Sequence, residues 1–291
     1  MYEQRDFETA RELITALSPL NTDHWPRGMY VFRGQRSTQF GLVPSAYRSQ
    51  SEISARRMWQ GHGDVSGGRQ VFFEIRMLSS FLEACDASGL QVSGDSIQVR
   101  QLLHEALHLF LNPSEWPPMA LLPVIATAQH HGVPTCLLDW TWRSYVAAYF
   151  SASSVVREPE SAGELAVWAL RVDMCKQWEK LSFLTMPGGT TANLAAQAGV
   201  FTISGIKATG GEHFESTAIE HQEDVYNNLL GPCPGLIQMT LPVSEAPELL
   251  RLCADLGVKG SVLFPGYEGA AREVIDLASA NPSVIPEKWP R

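Results

Sequence analysis

The sequence predicts an α+β fold in which a helix-rich stretch is set into a mostly β core. Helical signals cluster in the first half and β-prone runs in the second, without the regular strand–helix alternation of a parallel α/β sheet. Of 291 residues, 45% are hydrophobic and 18% charged, which suffices to bury a large core as one unit with an insert. The chain therefore reads as a single domain over 1–291 with a helical insert over 50–125.

The segment 5–17 is amphipathic and carries both charge signs, which predicts a helix and is unlike the basic-then-apolar pattern of a secretory signal. No apolar run approaches the roughly 20 residues of a membrane span, so a cytoplasmic setting with no membrane partner is expected. A β-prone run at 29–33 reads as a strand that delivers Arg33 to its own end, where Gly34 permits a turn or a close approach to a ligand. Residues 60–69 are rich in Gly and polar groups and read as a loop. Helices are expected over 70–84 and 97–111, the second stopped by Asn112-Pro113.

The central stretch AQHHGVPTCLLDWTWRSYVAAYFSA, residues 128–152, reads as a helix end, a turn set by Gly132 and Pro134, a short buried strand (136–140) and a helix. The apolar face of that helix carries Val146, Ala147, Tyr149 and Phe150. Downstream, 164–172 alternates and reads as a strand, as do 200–203, 236–241 and 262–264. Gly188-Gly189 and Gly210-Gly211 mark loops, and a helix is expected over 245–255.

Charge is uneven. The net value is −9, yet residues 1–76 hold ten arginines against eight acidic residues, leaving +2 there and −11 in the remainder. An acidic chain is a poor coat for nucleic acid, because phosphate neutralisation dominates that affinity, but a local arginine cleft is compatible with one nucleotide or an RNA end. The five cysteines (85, 136, 175, 233 and 253) are widely spaced without a CxxC, which predicts neither a disulfide framework nor a cysteine zinc site.

Two stretches carry chemistry beyond what a core requires. Arg33, Arg36 and Arg48 offer planar forks suited to phosphate or carboxylate. In the central stretch Gln129, His130, His131, Asp139, Thr141 and Arg143 bracket the apolar pair Leu137 and Leu138, and polar groups at the mouth of a buried strand are costly unless protein or ligand pairs them. Structural readings compete: Asp139 as a helix cap, His130 and His131 as a solvated helix end, Trp140 and Trp142 as packing, Gln197 as a satisfied edge residue. A third signal is His104-Glu105-Ala106-Leu107-His108, the spacing of a zinc hydrolase in which two histidines share a helix face. Against it, Leu103, Leu107, Phe110 and Leu111 already account for an ordinary core stripe, and no metal is expected.

Phe32-Arg33-Gly34 with Gln35, the Leu42-Val43-Pro44-Ser45 step and Arg48, together with Gln129, His130, Gly132, Pro134, Thr135, Leu137 to Thr141 and Ala147 to Phe150, resemble the two sequence blocks of the FRG domain family. Weaker blocks at 197–201 and 263–266 extend the likeness over most of 28–270, and Cys136 stands where the family pattern has arginine. The order of parts is similar, more distantly, to the ADP-ribosyltransferase fold, which implies a split β-sheet core and NAD as cofactor.

On that resemblance Arg33 holds the NAD phosphate or ribose, Thr141 with Asp139 shapes the nicotinamide-ribose pocket, and Gln197 binds a ribose hydroxyl. Gly34, Gln35, Arg36, Arg48, Gln129, His130 and Trp140 would complete the cofactor site. An amide cannot act as a general base, so the acid expected of such enzymes falls to Asp139, or else to Glu220 or Glu223. The implied function is an NAD-dependent ADP-ribosyltransferase-like toxin or defence effector that modifies a macromolecule, protein or nucleic acid, with an antitoxin or chaperone as a further partner. The alternatives are a non-catalytic nucleotide- or partner-binding module and the zinc hydrolase.

Overall fold

The computed structural model describes residues 2–48, 65–158, 162–173, 175, 181–222 and 235–280. In chain order its elements are β1 (Glu3–Asp6), α1 (Ala10–Ala16), β2 (Tyr30–Gln35), α2 (Gly67–Ala87), α3 (Ile97–His104), α4 (Leu107–Leu111), α5 (Leu122–His130), β3 (Leu137–Thr141), α6 (Ser144–Arg157), β4 (Glu164–Arg171), β5 (Leu181–Leu184), α7 (Ala192–Gln197), β6 (Gly199–Ser204), β7 (Leu236–Pro242), α8 (Ala246–Asp255), α9 (Gly260–Leu263) and α10 (Tyr267–Ala280). The strands form a seven-stranded mixed sheet in the order β1-β7-β4-β2-β3-β6-β5. β1 runs parallel to β7 and the other neighbours are antiparallel. The architecture is α+β, and helices α2 to α5 all lie between β2 and β3 in the chain.

Period-two patterning sorts the strands onto two buried faces. Tyr30 and Phe32 of β2 and Leu165, Val167 and Ala169 of β4 pack with α1, α6 and α8. Val31 of β2 and Ala166, Trp168 and Leu170 of β4 pack on the opposite side with Leu138 and Trp140 of β3. The helices between β2 and β3 build a separate apolar cluster around Phe73, Leu109, Leu121 and Ile125, joined to the sheet through Leu137, Phe201 and Ile203.

The sheet is weakest at one seam. The β2–β4 ladder runs from Tyr30↔Arg171 to Gln35↔Ala166 and the β3–β6 ladder from Leu137↔Ile203 to Thr141↔Gly199, whereas β2 and β3 share a single pair, Phe32↔Thr141. Beyond it the strands part. The Asp139 carbonyl, left without a ladder partner from β2, accepts instead from Arg33 NH1 at 2.8 Å.

Several sequence expectations are corrected. The predicted helix over 5–17 begins at Ala10, because Thr9 and Glu12 form a reciprocal capping box that fixes its start; Glu3–Asp6 is an edge strand that hydrogen-bonding to β7 stabilises without any apolar alternation. β2 does not end at Arg33 but continues to Gln35 on β4. Of the predicted loop over 60–69, residues 60–64 lie outside the described residues and Ser66 caps α2. Val262 to Phe264 is not a strand: Gly260 opens a helical turn, α9, where a Cβ would lie 2.7 Å from Glu273 N of α10.

The helix expected over 97–111 breaks at Glu105-Ala106 into α3 and α4. The break rotates the second half, so Leu107 and Leu111 are exposed and Leu109 is buried in their place. His104 and His108 therefore do not share one continuous helix face, and among the described residues no group of three His, Cys, Asp or Glu is placed to hold a metal. The four described cysteines are free; Cys233 lies outside the described residues. Among the described residues no helix is long and apolar enough to cross a membrane.

Candidate functional site

Where β2 and β3 diverge, a cleft of about 280 Å³ opens, walled by Phe32, Arg33 and Gly34 of β2, Asp139, Trp140 and Thr141 of β3, and Gln129 and His130 at the end of α5. Ala147, Phe150 and Ser154 of α6, Gln197 and Phe264 complete it. Residues a hundred positions apart in the chain thus converge on one concave site.

Arg33 is its most constrained group. Its side chain is 16% exposed, with NH1 on the Asp139 carbonyl and 3.8 Å from Asp139 Oδ2. Its Nε is buried and, among the described residues, has no hydrogen-bond partner. Burial brings the guanidinium down to about 10; the Asp139 carboxylate opposes that and the charge of Arg48 adds to it. The group stays cationic at neutral pH. A buried N–H without an acceptor costs about 1–3 kcal/mol, which an anionic or hydroxyl-bearing ligand would recover.

Asp139 faces solvent at the rim, its side chain 52% exposed. It does not cap the following helix: Thr141 Oγ1 accepts from Arg143 N at 3.1 Å, and the same hydroxyl donates to the Gln197 carbonyl at 2.6 Å. Gln197 Nε2 donates to the Leu263 carbonyl at 3.1 Å, tying the end of α7 to α9. Gln129 Oε1 accepts from Thr135 Oγ1, and His130 Nδ1 lies 3.1 Å from the Ala126 carbonyl. Trp140 is buried with its indole N–H on Thr202 Oγ1 at 2.9 Å, so its ring belongs to the core on the side of the sheet away from α6.

Gly34 lines the cleft, yet its missing side chain serves packing. A Cβ there would sit 2.6 Å from Ser151 N and closer still to the Ala147 carbonyl oxygen, so glycine is what lets α6 lie directly on β2. Three expected ligand residues are not in the cleft wall. Gln35 is buried, accepting from Trp168 Nε1 at 2.8 Å and donating to the Gly41 carbonyl at 3.3 Å. Arg36 pairs with Glu158 and lies over the Phe40 ring. Arg48 donates from Nε to the Val43 carbonyl at 3.3 Å and reaches the site only through its charge. Glu220 is also structural, its two carboxylate oxygens accepting from Leu42 N at 3.2 and 3.0 Å. Glu223 lies outside the described residues.

Two wall residues escaped sequence reasoning. Ser154 follows Ala147 and Phe150 at i+7 and i+4, a helical stripe that the apolar face of α6 already implied. Phe264, edge-to-face with Phe150 at 5.9 Å, fell in the weaker block at 263–266 but was given no site role while 262–264 read as a strand.

A family model, the FRG domain, matches residues 28–160. The chain carries an FRG domain. The match spans β2, the helices α2 to α5, β3 and α6, so the FRG domain supplies Arg33, Gly34, Gln129, His130, Asp139 to Thr141, Ala147, Phe150 and Ser154 to the cleft. Gln197 and Phe264 reach it from beyond the matched segment. No curated protein and no solved structure matches the chain.

Proposed function

We propose that the FRG cleft binds NAD and that the protein is an ADP-ribosyltransferase-like enzyme acting on a macromolecule. The observation that carries this reading is the unpartnered Nε of Arg33, a buried cationic donor held at a parting of two central strands with an ionisable carboxylate, Asp139, beside it. The site's contents suit one half of a dinucleotide. The volume of about 280 Å³ lies just below the roughly 300–1,000 Å³ of small-molecule sites, Phe150 and Phe264 give aromatic walls, and Ser154 and Gln197 give hydrogen-bonding edges. The near-split between β2 and β3 also agrees with the split-sheet resemblance.

NAD would supply an activated ribose: its bond to nicotinamide breaks, the neutral base leaves, and the acceptor's nucleophile bonds to the same carbon. Arg33 would hold a phosphate or ribose oxygen through Nε, a charge-assisted contact in a site shielded from water. Asp139 would face the positive charge that develops on the ribose and take the proton the acceptor gives up. Gln197, an amide, can orient but not deprotonate. Thr141 sets the corner by bridging β3 to the end of α7. The acceptor is a protein or nucleic acid, and the role a toxin or defence effector whose restraint falls to an antitoxin or chaperone.

A second reading, a non-catalytic nucleotide-binding module, is favoured by one observation: the Thr141 hydroxyl and the Gln197 amide nitrogen are already committed to backbone carbonyls. Incubation with NAD separates the two. The enzyme releases nicotinamide, and Arg33→Ala loses release and binding while Asp139→Asn keeps binding and loses release. Binding without release in the wild-type protein selects the module, and absence of both sinks the site. Expression that arrests growth in the wild type but not in Arg33→Ala supports the effector role.

A further inference from the structure

We propose that a second cavity, at the far end of β6 from the FRG cleft, binds a mononucleotide through the amino-bearing edge of its base. This cavity, about 630 Å³, is the roomier of the two and is walled by Tyr47, Ser204, Lys207, Phe214, Ser216 and Gln222 among others. Gly199 of β6 pairs with Thr141 at the FRG cleft, and Ser204 lies five residues further on, so about 17 Å of extended strand separates the sites. The proposal does not rest on the FRG cleft's chemistry.

Gln222 is the decisive residue. It is 5% exposed, and its Nε2 donates to Ser204 Oγ at 3.1 Å and to the Thr217 carbonyl at 3.0 Å. A carbonyl only accepts, so the amide nitrogen must face Thr217 and the orientation is fixed. Oε1 is left as a buried acceptor with no partner among the described residues, and Ser216 Oγ, in the lining of the same cavity, is also unpartnered there. Native proteins rarely leave such groups unpaired.

The missing partner is an N–H donor that reaches past aromatic rings. Tyr47 and Phe214 meet edge to face at 5.1 Å on the same wall, a surface for a flat heteroaromatic body. Lys207 is exposed at the opening, where a phosphate would sit. His213, His221, Glu212 and Glu215 also line the cavity, but among the described residues they do not group into a metal site. A base with an exocyclic amine, linked to a phosphate, satisfies the acceptor, the rings and the cation together.

The test is calorimetric titration of the full chain with AMP, with purine riboside 5′-monophosphate, which lacks the amine, and with ribose 5-phosphate. AMP is expected to bind about tenfold more tightly than the des-amino nucleotide, and Gln222→Met is expected to erase that difference. Lys207→Ala, at an exposed position, is expected to weaken all three about two- to fivefold, and the preference for AMP over the des-amino nucleotide is expected to persist in Arg33→Ala, a background in which the FRG cleft no longer contributes. Equal affinity for AMP and the des-amino nucleotide, binding of ribose 5-phosphate as tight as AMP, no AMP binding, or AMP binding abolished by Arg33→Ala would each overturn the proposal. Lys207→Ala keeps the test decisive if Gln222→Met fails to fold.

Discussion

Replacing Gly34 with alanine should damage stability and site together, because this glycine is where α6 rests on β2. The added methyl would lie 2.6 Å from Ser151 N, 3.0 Å from Ala147 C and closer still to Ala147 O, all of them α6 backbone atoms. No rotamer change relieves a clash with backbone, so strand and helix must separate by roughly 1 Å in a close-packed interior. Overpacking of this kind costs typically 1–3 kcal/mol, and the absence of a side-chain escape places this one at about 3 kcal/mol. With a urea slope near the upper end of about 1–3 kcal/mol/M, the unfolding midpoint should fall by about 1 M. The displaced helix carries Phe150 and Ser154 with it, so NAD binding should weaken in parallel. A midpoint shift below about 0.2 M would refute the claim that close packing, and not ligand contact, fixes glycine at this position.

Glu74 is buried beside Cys136 and accepts from Gln70 Nε2 at 3.0 Å, and burial pushes its pKa up. A carboxyl whose native pKa lies above the unfolded value of about 4.3 stabilises fully below that pH and loses its contribution as pH rises through the native value. Glu74→Gln should therefore gain stability relative to wild type as pH is raised across that window, measured by urea midpoints at a series of pH values; a difference that does not vary with pH contradicts this. Asp276, buried on α10, accepts from Tyr149 Oη at 2.5 Å, Ser153 Oγ at 3.1 Å and Arg157 NH2 at 2.7 Å on α6. Removing one member of such a network leaves buried partners unpaired, so Asp276→Ala should cost about 3–5 kcal/mol; a loss under about 1 kcal/mol would show that α10 contributes little to the hold on α6. Thiol labelling should modify the partly exposed Cys175 before the fully buried Cys136 and Cys253, whose thiols burial pushes up; the opposite order contradicts the packing of Cys136 against α2 or of Cys253 between α8 and α6.

Much of this architecture was legible because its determinants are local. The alternation at 164–172, the turn at Gly132 and Pro134 and the stop at Asn112-Pro113 each act over a few positions. The clustering of Arg33 with Asp139 to Thr141 was legible only through the FRG resemblance, since pairing between strands a hundred residues apart leaves no periodic signal. Where local patterns misled, tertiary contacts had overridden them. Glu3–Asp6 is polar throughout and is a strand because β7 offers it a ladder; Leu107 and Leu111 fit a helical stripe but face outward because the helix breaks two residues earlier. Gln35 and Glu220 looked chemical and are structural, since a buried polar group satisfied by protein has the same residue type as one awaiting a ligand. Gln222 is the converse, a glutamine given no role from sequence whose oxygen is unpaired among the described residues.

The central claim concerns the Nε of Arg33, and Arg33→Lys isolates it by keeping the charge while removing that donor and the planar fork. NAD affinity by isothermal titration should fall at least tenfold in the folded variant, consistent with loss of a charge-assisted bond in a shielded site. Unchanged affinity in Arg33→Lys would mean that the cleft reads charge alone, and that the unpaired guanidinium nitrogen is not what holds the nucleotide.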